Sequence, residues 1–129
     1  MRERMGSCSM NDRDARIVRK ILAYCEQIEE THRFFHEDQE QFLDERFGFV
    51  YRNSVAMPIL QIGELAKQLS AEFRAESRAI PWRAVAGMRD IFAHHYGAVD
   101  PLELWNSSHG DIAEMKNTLE KYLAGGEEK

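Results

Sequence analysis

The sequence has little of what marks secreted, membrane-bound or metal-stapled proteins. Its 129 residues include only two cysteines, Cys8 and Cys25, and no Cys-x-x-Cys spacing, so neither a disulfide framework nor a cysteine zinc site is indicated. No apolar run approaches the roughly 18 residues that a membrane helix requires, and the N-terminus lacks the apolar stretch of a signal peptide. We therefore expect a cytoplasmic protein without a membrane segment.

No charge of one sign dominates either, since 17 basic residues stand against 22 acidic ones, a formal net charge of -5. This acidic total argues against a general nucleic-acid coat protein, although residues 67–89 carry five basic and two acidic side chains and could form a local basic patch. A chain of this size buries roughly two-thirds of its unfolded surface without a staple. We predict one domain over residues 1–129, with flexible segments at 1–10 and 124–129.

Apolar residues recur at spacings of three and four along most of the chain, and no segment alternates with period two, which predicts helices and no sheet. The first helix is expected at about 13–35, with Asp12 as its N-cap. A second, long helix is expected at about 40–70, with a kink at Pro58. Its apolar stripe, expected to be buried, consists of Phe47, Tyr51, Val55, Ile59, Ile62, Ala66, Leu69 and Phe73.

The second half of the chain predicts a helix that starts at Trp82 and stops at Gly97, a natural residue after a helix end. A further helix should start after Asp100, where an N-cap Asp, a proline and a glutamate coincide. It is either short and followed by a fifth helix, or one helix broken near Gly110. The pattern thus predicts an all-α protein, an antiparallel bundle of four to five helices.

Polar groups are dense in residues 89–97, where a cation, a carboxylate, two imidazoles and a phenol crowd the end of the predicted helix. At about 100° per residue, Arg89 and Tyr96 share one helix face, whereas Arg89 and His94 lie about 140° apart. A site that uses Arg89 and His94 together needs either a helix that unwinds before His94 or a second copy of the chain across a two-fold axis.

Two interpretations of this cluster stand side by side. In the first, His94 and His95 cap the negative end of the helix dipole, and Arg89 and Asp90 are solvated surface groups. In the second, the cluster performs acid–base chemistry on a phosphodiester, because histidine titrates near neutrality and arginine clamps phosphate oxygens. RNA carries its own nucleophile, the 2′-hydroxyl, so a base, an acid and a guanidinium suffice without a metal.

The spacing Arg89, four residues, His94, one residue, Tyr96 resembles the signature of the HEPN superfamily, and specifically of the HepT-like toxins of bacteria and archaea. The resemblance covers roughly residues 55–123. It includes these further blocks: Ile62-Gly63-Glu64-Leu65-Ala66-Lys67, Ile80-Pro81-Trp82, Gly87-Met88-Arg89-Asp90, and His94 to Asp100 followed by Leu104-Trp105.

The resemblance implies a homodimeric HEPN-type bundle whose motifs face one another in an interface cleft and act as a metal-independent endoribonuclease without a cofactor. Arg89 would bind the scissile phosphate, and His94 would be the acid or the base. Asp90 takes the place of a polar residue, often Asn, and would orient Arg89 or His94. His95 supplies a second imidazole beside His94, although the motif spacing favours His94.

The resemblance also implies partners. The substrate would be RNA, for example transfer RNA or messenger RNA, and Tyr96 would be modified with AMP by a cognate minimal nucleotidyltransferase antitoxin, called MntA. Added nucleotide phosphates would block the cleft and repel RNA. The alternative is a non-catalytic accessory or nucleotide-binding subunit that pairs with a nucleotidyltransferase, and a helical interaction domain is a third possibility.

Five further residues with reactive side chains have weaker sequence signals. His32 and His36, four apart, could hold a metal on a shared helix face or lie solvated on the surface. Glu64 is either a buried carboxylate aimed at a partner arginine or a surface group. His109 belongs to the helical break before Gly110. Cys25 falls on the apolar stripe, which favours a small buried hydrophobe over a nucleophile.

Overall fold

The computed structural model describes residues 10–127, and this part of the chain contains helices and no strand. The all-α prediction is therefore confirmed. Five helices of nine or more residues and two short helices, α2 and α4, follow one another along the described chain. Their bounds are α1 Asp12–Phe34, α2 Gln39–Leu43, α3 Gly48–Ala66, α4 Ala71–Glu76, α5 Trp82–His94, α6 Pro101–His109 and α7 Asp111–Glu127.

The two chain ends bear on the predicted flexible segments. Residues 1–9, with Cys8, lie outside the described residues. Helix α7 continues to Glu127, well into the segment 124–129, whose flexibility stays a prediction. None of the helices in the described part of the chain is both long and apolar enough to cross a membrane.

Helix α1 lies within one residue of its predicted bounds, but its N-cap is Asn11 rather than Asp12. The Asn11 side chain accepts a hydrogen bond from the backbone N–H of Asp14 at 2.7 Å, which satisfies one of the free donors of the first turn. The side chain of Asp14 is buried and accepts bonds from the backbone N–H and hydroxyl of Ser70. The start of α1 is thereby tied to the start of α4.

The single long helix expected at about 40–70 is wrong, because the chain turns between α2 and α3. Asp44 accepts hydrogen bonds from the backbone N–H groups of Arg46 and Phe47, a local alternative to helical bonding. A Cβ on Gly48 would lie 2.7 Å from the carbonyl oxygen of Phe42, so only glycine permits the close return of the chain. Phe47, predicted on the buried stripe, is exposed.

Helix α3 is the centre of the fold and packs against α1, α2, α5 and α6. Its predicted apolar stripe is buried from Tyr51 through Val55, Ile59 and Ile62 to Ala66. Pro58 lies inside the helix and is fully buried. The kink expected at this proline stays a prediction.

The contact between α3 and α5 depends on Gly63. A Cβ at this position would lie 2.8 Å from Cβ of Arg89 and 2.9 Å from the carbonyl oxygen of Val85. Real Cβ atoms do not approach other atoms this closely, so the backbone of α5 lies directly on the glycine surface of α3. As a result, Arg89 on α5 lies directly beside α3.

Helix α5 ends at His94, so the predicted continuation to Gly97 is wrong. His95 leaves the helical conformation with φ -136° and ψ 31°, while its N–H still bonds the carbonyl of Ile91. Residues Tyr96–Ala98 then form a single 3-10 turn. Gly97 has no positive φ, so it does not provide the left-handed helix end that the sequence predicted.

The last two helices follow the sequence signals closely. Asp100 caps α6 by accepting a hydrogen bond from the N–H of Leu102 at 3.0 Å. Helix α6 ends at His109, and α7 begins at Asp111. Of the two predicted arrangements, the short helix followed by a further helix is therefore present.

Candidate functional site

Arg89 lies on α5 at its crossing with α3, next to a carboxylate that α3 supplies. Its Nε is 2.7 Å from Oε1 of Glu64. Both atoms are buried, and neither forms a hydrogen bond of good geometry in the described residues, so the contact is an ion pair without alignment of the N–H. Glu64 itself is half-exposed. Of the two predicted environments, the pairing with an arginine is present, but the Glu64 side chain as a whole is not buried.

Asp90 and Lys67 complete this group, which we call the Arg89 cluster (Glu64, Lys67, Arg89, Asp90). Lys67 Nζ donates to Asp90 Oδ1 at 3.1 Å, and Arg89 Nη1 lies 3.4 Å from the same oxygen. The hydrogen bond and charge of Lys67, followed by those of Arg89, lower the pKa of the exposed Asp90 carboxyl. Asp90 therefore stays ionised and shares its charge between two cations.

The guanidinium of Arg89 is held but not saturated. Of its five N–H donors, the one on Nε meets Glu64 and one on Nη1 meets Asp90. No hydrogen bond in residues 10–127 engages Nη2. The arginine is thus anchored on one edge, while the other keeps donors for a phosphate oxygen.

His94 is the last residue of α5, His95 follows it, and both are exposed. Their ring centroids are 6.4 Å apart. Within the described residues, no side-chain hydrogen bond or ion pair restrains either imidazole. Either ring is therefore accessible to a ligand.

Because α5 runs without interruption through His94, Arg89 and His94 lie about 140° apart around one helix. The unwinding before His94 that would bring them together does not occur. The predicted shared face of Arg89 and Tyr96 is also wrong, since the helix ends before Tyr96. One chain by itself does not bring these three side chains together.

Tyr96 is instead tied to α3. Its hydroxyl donates to Oδ1 of Asn53 at 2.6 Å, and its ring meets Phe92 edge-on at 5.8 Å. Burial raises the pKa of the phenol, while the charge of Arg52 lowers it. The ring helps to line an open groove of about 270 Å³. The groove is lined by Asn53, Ala56, Met57, Leu60, Phe92 and Tyr96.

Asn53 is the site residue that sequence reasoning missed. It precedes Tyr96 by 43 positions, and no spacing rule connects a side chain on α3 with one in a later turn. Glu64 gave a partial signal, because a glycine beside it indicated close helix approach. Nothing in the sequence identified Arg89 as its partner within the same chain.

The structure also tests the predictions made for Cys25, His32 and His36. Cys25 is fully buried, as predicted, and burial, followed by the charge of Glu29, raises the pKa of its thiol to about 12. The pairing of His32 with His36 on one helix face is wrong, because α1 ends at Phe34. His32 is buried rather than solvated and contacts His109.

Comparison with known proteins gives the family of this chain. The family "Ribonuclease HepT-like" matches residues 21–122, a span that contains α5, the Arg89 cluster and Tyr96. The chain belongs to the HepT-like ribonuclease family. The resemblance stated from the motifs is thereby confirmed, and the HEPN-type helical bundle is consistent with it.

Individual relatives carry names of the same kind. The chain is 33% identical over 92 residues to "Putative RNase MJ0125" of Methanocaldococcus jannaschii, which covers 71% of this chain and 77% of that protein. It is 32% identical to "Putative RNase TTE0752" of Caldanaerobacter subterraneus subsp. tengcongensis, over 64% of this chain and 83% of the relative. A shorter match at 40% identity, to "Probable ribonuclease HepT" of Thermococcus cleftensis, covers 46% and 54%. No solved structure matches the chain.

Proposed function

We propose that this HepT-like protein is a metal-independent endoribonuclease, the toxin of a toxin–antitoxin module, and that it acts on RNA in the cytoplasm. The observation that carries the proposal is the arrangement on α5. Arg89 is anchored by Glu64 with Nη2 available, and His94 is an unrestrained imidazole at the end of the same helix. Both lie within the span that matches the ribonuclease family.

In the proposed reaction, the 2′-hydroxyl oxygen of the substrate attacks the adjacent phosphorus. His94 of one subunit takes the hydroxyl proton, and His94 of a second subunit protonates the departing 5′-oxygen. Arg89 donates to the non-bridging oxygens as their negative charge increases. The products are a 2′,3′-cyclic phosphate and a 5′-hydroxyl, so no water or metal enters this step.

Two copies of the chain would supply the two His94 imidazoles and would bring an Arg89 close to a His94. Because Arg89 and His94 diverge around α5, a two-fold axis near the end of α5 would bring the arginine of one subunit close to the histidine of its partner. Large apolar side chains on α3 and α5 support a homodimer, because roughly half or more of each is exposed. These residues are Phe49, Val50, Met57 and Ile91.

We place regulation at Tyr96. A partner nucleotidyltransferase antitoxin would transfer AMP from ATP to the phenol, in a step that forms a bond from Oη to the α-phosphorus and releases pyrophosphate. The phenol proton passes to a base of the transferase. Asn53 fixes the direction of Oη, and the added phosphate would repel RNA from the cleft.

The decisive test is cleavage of total RNA and of transfer RNA by the purified protein with EDTA present. Intact mass must first show that Tyr96 carries no AMP, and light scattering must show a dimer. We expect cleavage that is lost in Arg89→Ala and in His94→Ala. The matched control is His36→Asn, which removes another exposed imidazole. Undiminished cleavage by His94→Ala would refute the assignment of that residue.

A second candidate function is a non-catalytic accessory or nucleotide-binding subunit of the nucleotidyltransferase. The observation that favours it is the presence of two carboxylates, Glu64 and Asp90, on the arginine that should receive phosphate. An unmodified dimer that leaves RNA intact, yet accepts AMP on Tyr96 from the transferase, would establish this function instead. A monomer without either activity would favour a plain interaction domain.

A further inference from the structure

A second polar group lies where the ends of α1 and α6 meet, and it includes none of the residues of the proposed ribonuclease site. We call it the His32 cluster (His32, Glu37, Tyr51, Ser108, His109). His32 is only 2% exposed. Its ring centroid is 4.0 Å from that of His109, and His109 Nε2 is 2.7 Å from Oε1 of Glu37.

We propose that His32, Glu37 and His109 bind one divalent transition-metal ion, with Zn²⁺ as the ion that their ligand types suit best. One ligand atom from each residue lies within 4.8 Å of the other two. Two imidazoles and one carboxylate form a donor set that Zn²⁺ takes in proteins, with water in the fourth position. The proposal does not depend on the ribonuclease function.

The outer contacts of both rings are those of metal-binding histidines. Nδ1 of His109 donates to the carbonyl oxygen of Trp105 at 2.9 Å, which leaves Nε2 directed toward Glu37. Nδ1 of His32 is bonded to the hydroxyl of the buried Tyr51 at 2.5 Å. Ligating histidines characteristically use their second nitrogen in this way, which fixes the ring orientation.

The remaining nitrogen of His32 is Nε2, 2.9 Å from the hydroxyl of Ser108, the residue before His109. We assign this nitrogen as the ligand.

Glu37 reaches the cluster through an unusual backbone. His36 and Glu37 have φ of 60° and 54°, a left-handed conformation that is uncommon for residues other than glycine and marks sites held by their surroundings. The N–H of Glu37 bonds the carbonyl of His32 at 2.8 Å. The chain thus folds back over the end of α1 and sets the carboxylate beside His109.

Metal binding requires only small movements. Without an ion, Nδ1 of His109 is hydrogen-bonded to the carbonyl oxygen of Trp105 and Nε2 to the carboxylate of Glu37, and the ion would take the place of the contact at Nε2. Ligand atoms around a tetrahedral Zn²⁺ lie about 3.3 Å apart. Glu37 is half-exposed and can withdraw from His109, while His32 Nε2 exchanges Ser108 for the ion.

The test is titration of the chelator-stripped full-length protein with Zn²⁺ in a calorimeter, and with Co²⁺ by visible absorption. We expect one ion per chain, a tetrahedral or five-coordinate Co²⁺ spectrum, and a melting temperature that rises by roughly 5–10 °C at a hundredfold excess over Kd. EDTA should reverse the rise. The melting temperature is independent of any activity on RNA.

Variants distinguish this site from adventitious binding. Glu37→Gln and His109→Gln should each lower affinity at least tenfold, while circular dichroism shows the parental helicity. His36→Asn, which removes the imidazole next to Glu37, and a His94→Ala, His95→Ala double variant should bind as the parent does. No stoichiometric binding by the parent, parental affinity in both ligand variants, or loss of binding in the His94, His95 variant would overturn the proposal. The Co²⁺ spectrum of the parent keeps the proposal testable if a ligand variant does not fold.

Discussion

His32 and Arg89 both lie on helices that pack against α3, but their surroundings are opposite in kind. Both ring nitrogens of His32 are hydrogen-bonded, to Tyr51 and Ser108, and the ring is buried. Arg89 is one-third exposed, and its ion pair with Glu64 lacks hydrogen-bond alignment. The His32 cluster is closed, because both nitrogens of its central ring have partners within the chain. The Arg89 cluster is open, because the guanidinium keeps N–H donors that have no hydrogen-bond partner among residues 10–127.

The difference separates polar residues whose hydrogen bonds are made within the chain from those that keep donors toward solvent. A buried polar group without a partner costs about 1–3 kcal/mol, so the His32 cluster is stable only because its bonds are made. An exposed ion pair contributes about 0–1 kcal/mol, so the Arg89 cluster adds little stability. We infer that substitutions at His32 lower stability even without an ion, whereas those around Arg89 bear on the proposed function with little loss of stability.

The largest effect is expected for His32→Ala. Removing the ring creates a cavity, leaves the hydroxyl of Tyr51 without its partner and takes from Ser108 one of its partners, so we expect the free energy of unfolding to fall by about 3 kcal/mol. Urea denaturation in the presence of a chelator measures this loss. The control His36→Asn replaces an exposed residue and should change stability by less than about 0.5 kcal/mol. Equal effects of the two substitutions would contradict the contrast.

The second effect is expected at acid pH, where protonation of His32 should lower the stability of the folded chain. Burial lowers the pKa of His32 from 6.5 to about 4 in the folded chain, so the unfolded chain binds a proton at higher pH than the folded chain does. Stability from this residue is therefore complete above pH 6.5 and decreases as the pH falls toward 4, by on the order of 3 kcal/mol at most. Unfolding of the metal-free protein at several pH values should show a shallower slope for His32→Phe. Parallel curves would refute the assignment.

Gly63→Ala tests how the open cluster is positioned. The added Cβ would meet backbone atoms of α5 at Val85 and Arg89, so α5 must move, at a cost of about 2 kcal/mol. Gly87→Ala on α5 is the matched control, since its Cβ would meet nothing within 4 Å. It should stabilise the helix by about 0.5–1 kcal/mol. Thermal unfolding checks both signs, and a stabilised Gly63→Ala would show that the helices are not in close contact.

Glu64→Gln should have the smallest effect on stability, below about 1 kcal/mol, because the ion pair is half-exposed. On the proposed ribonuclease function, loss of the anchor should lower kcat about tenfold, while RNA binds as tightly or more tightly once a negative charge is removed. The control is Glu72→Gln, an exposed carboxylate in the first turn of α4. A rise in KM with unchanged kcat would indicate that Glu64 acts in binding rather than in positioning Arg89.

The helices that carry local signals were predictable, and those that depend on distant contacts were not. The apolar spacing of α1 and the cap at Asp100 predict their elements within a residue or two. The turn between α2 and α3 was missed because the apolar spacing continues across it, while Asp44 and Gly48 make the bonds and close approach that break the helix.

The candidate site shows the same division. The order Arg89, His94, Tyr96 is visible in the sequence and led to the family that the comparison confirms. The partners of these residues, Glu64 and Asn53, come from α3 and lie 25 and 43 positions away along the chain. The roles of Arg89, Asp90, His94, His95 and Tyr96 stay predictions that the experiments above address.

By itself, the sequence determined that this protein is helical, because apolar residues at spacings of three and four can be buried together only on helices. It also determined the motif that identifies the family. Only the tertiary structure decided which polar groups in the described part of the chain have hydrogen-bond partners there and which keep donors without a partner. Those states depend on contacts between residues far apart in the chain, such as His32 with Ser108 and Gly63 with Arg89, and burial and geometry at such contacts are absent from any local pattern.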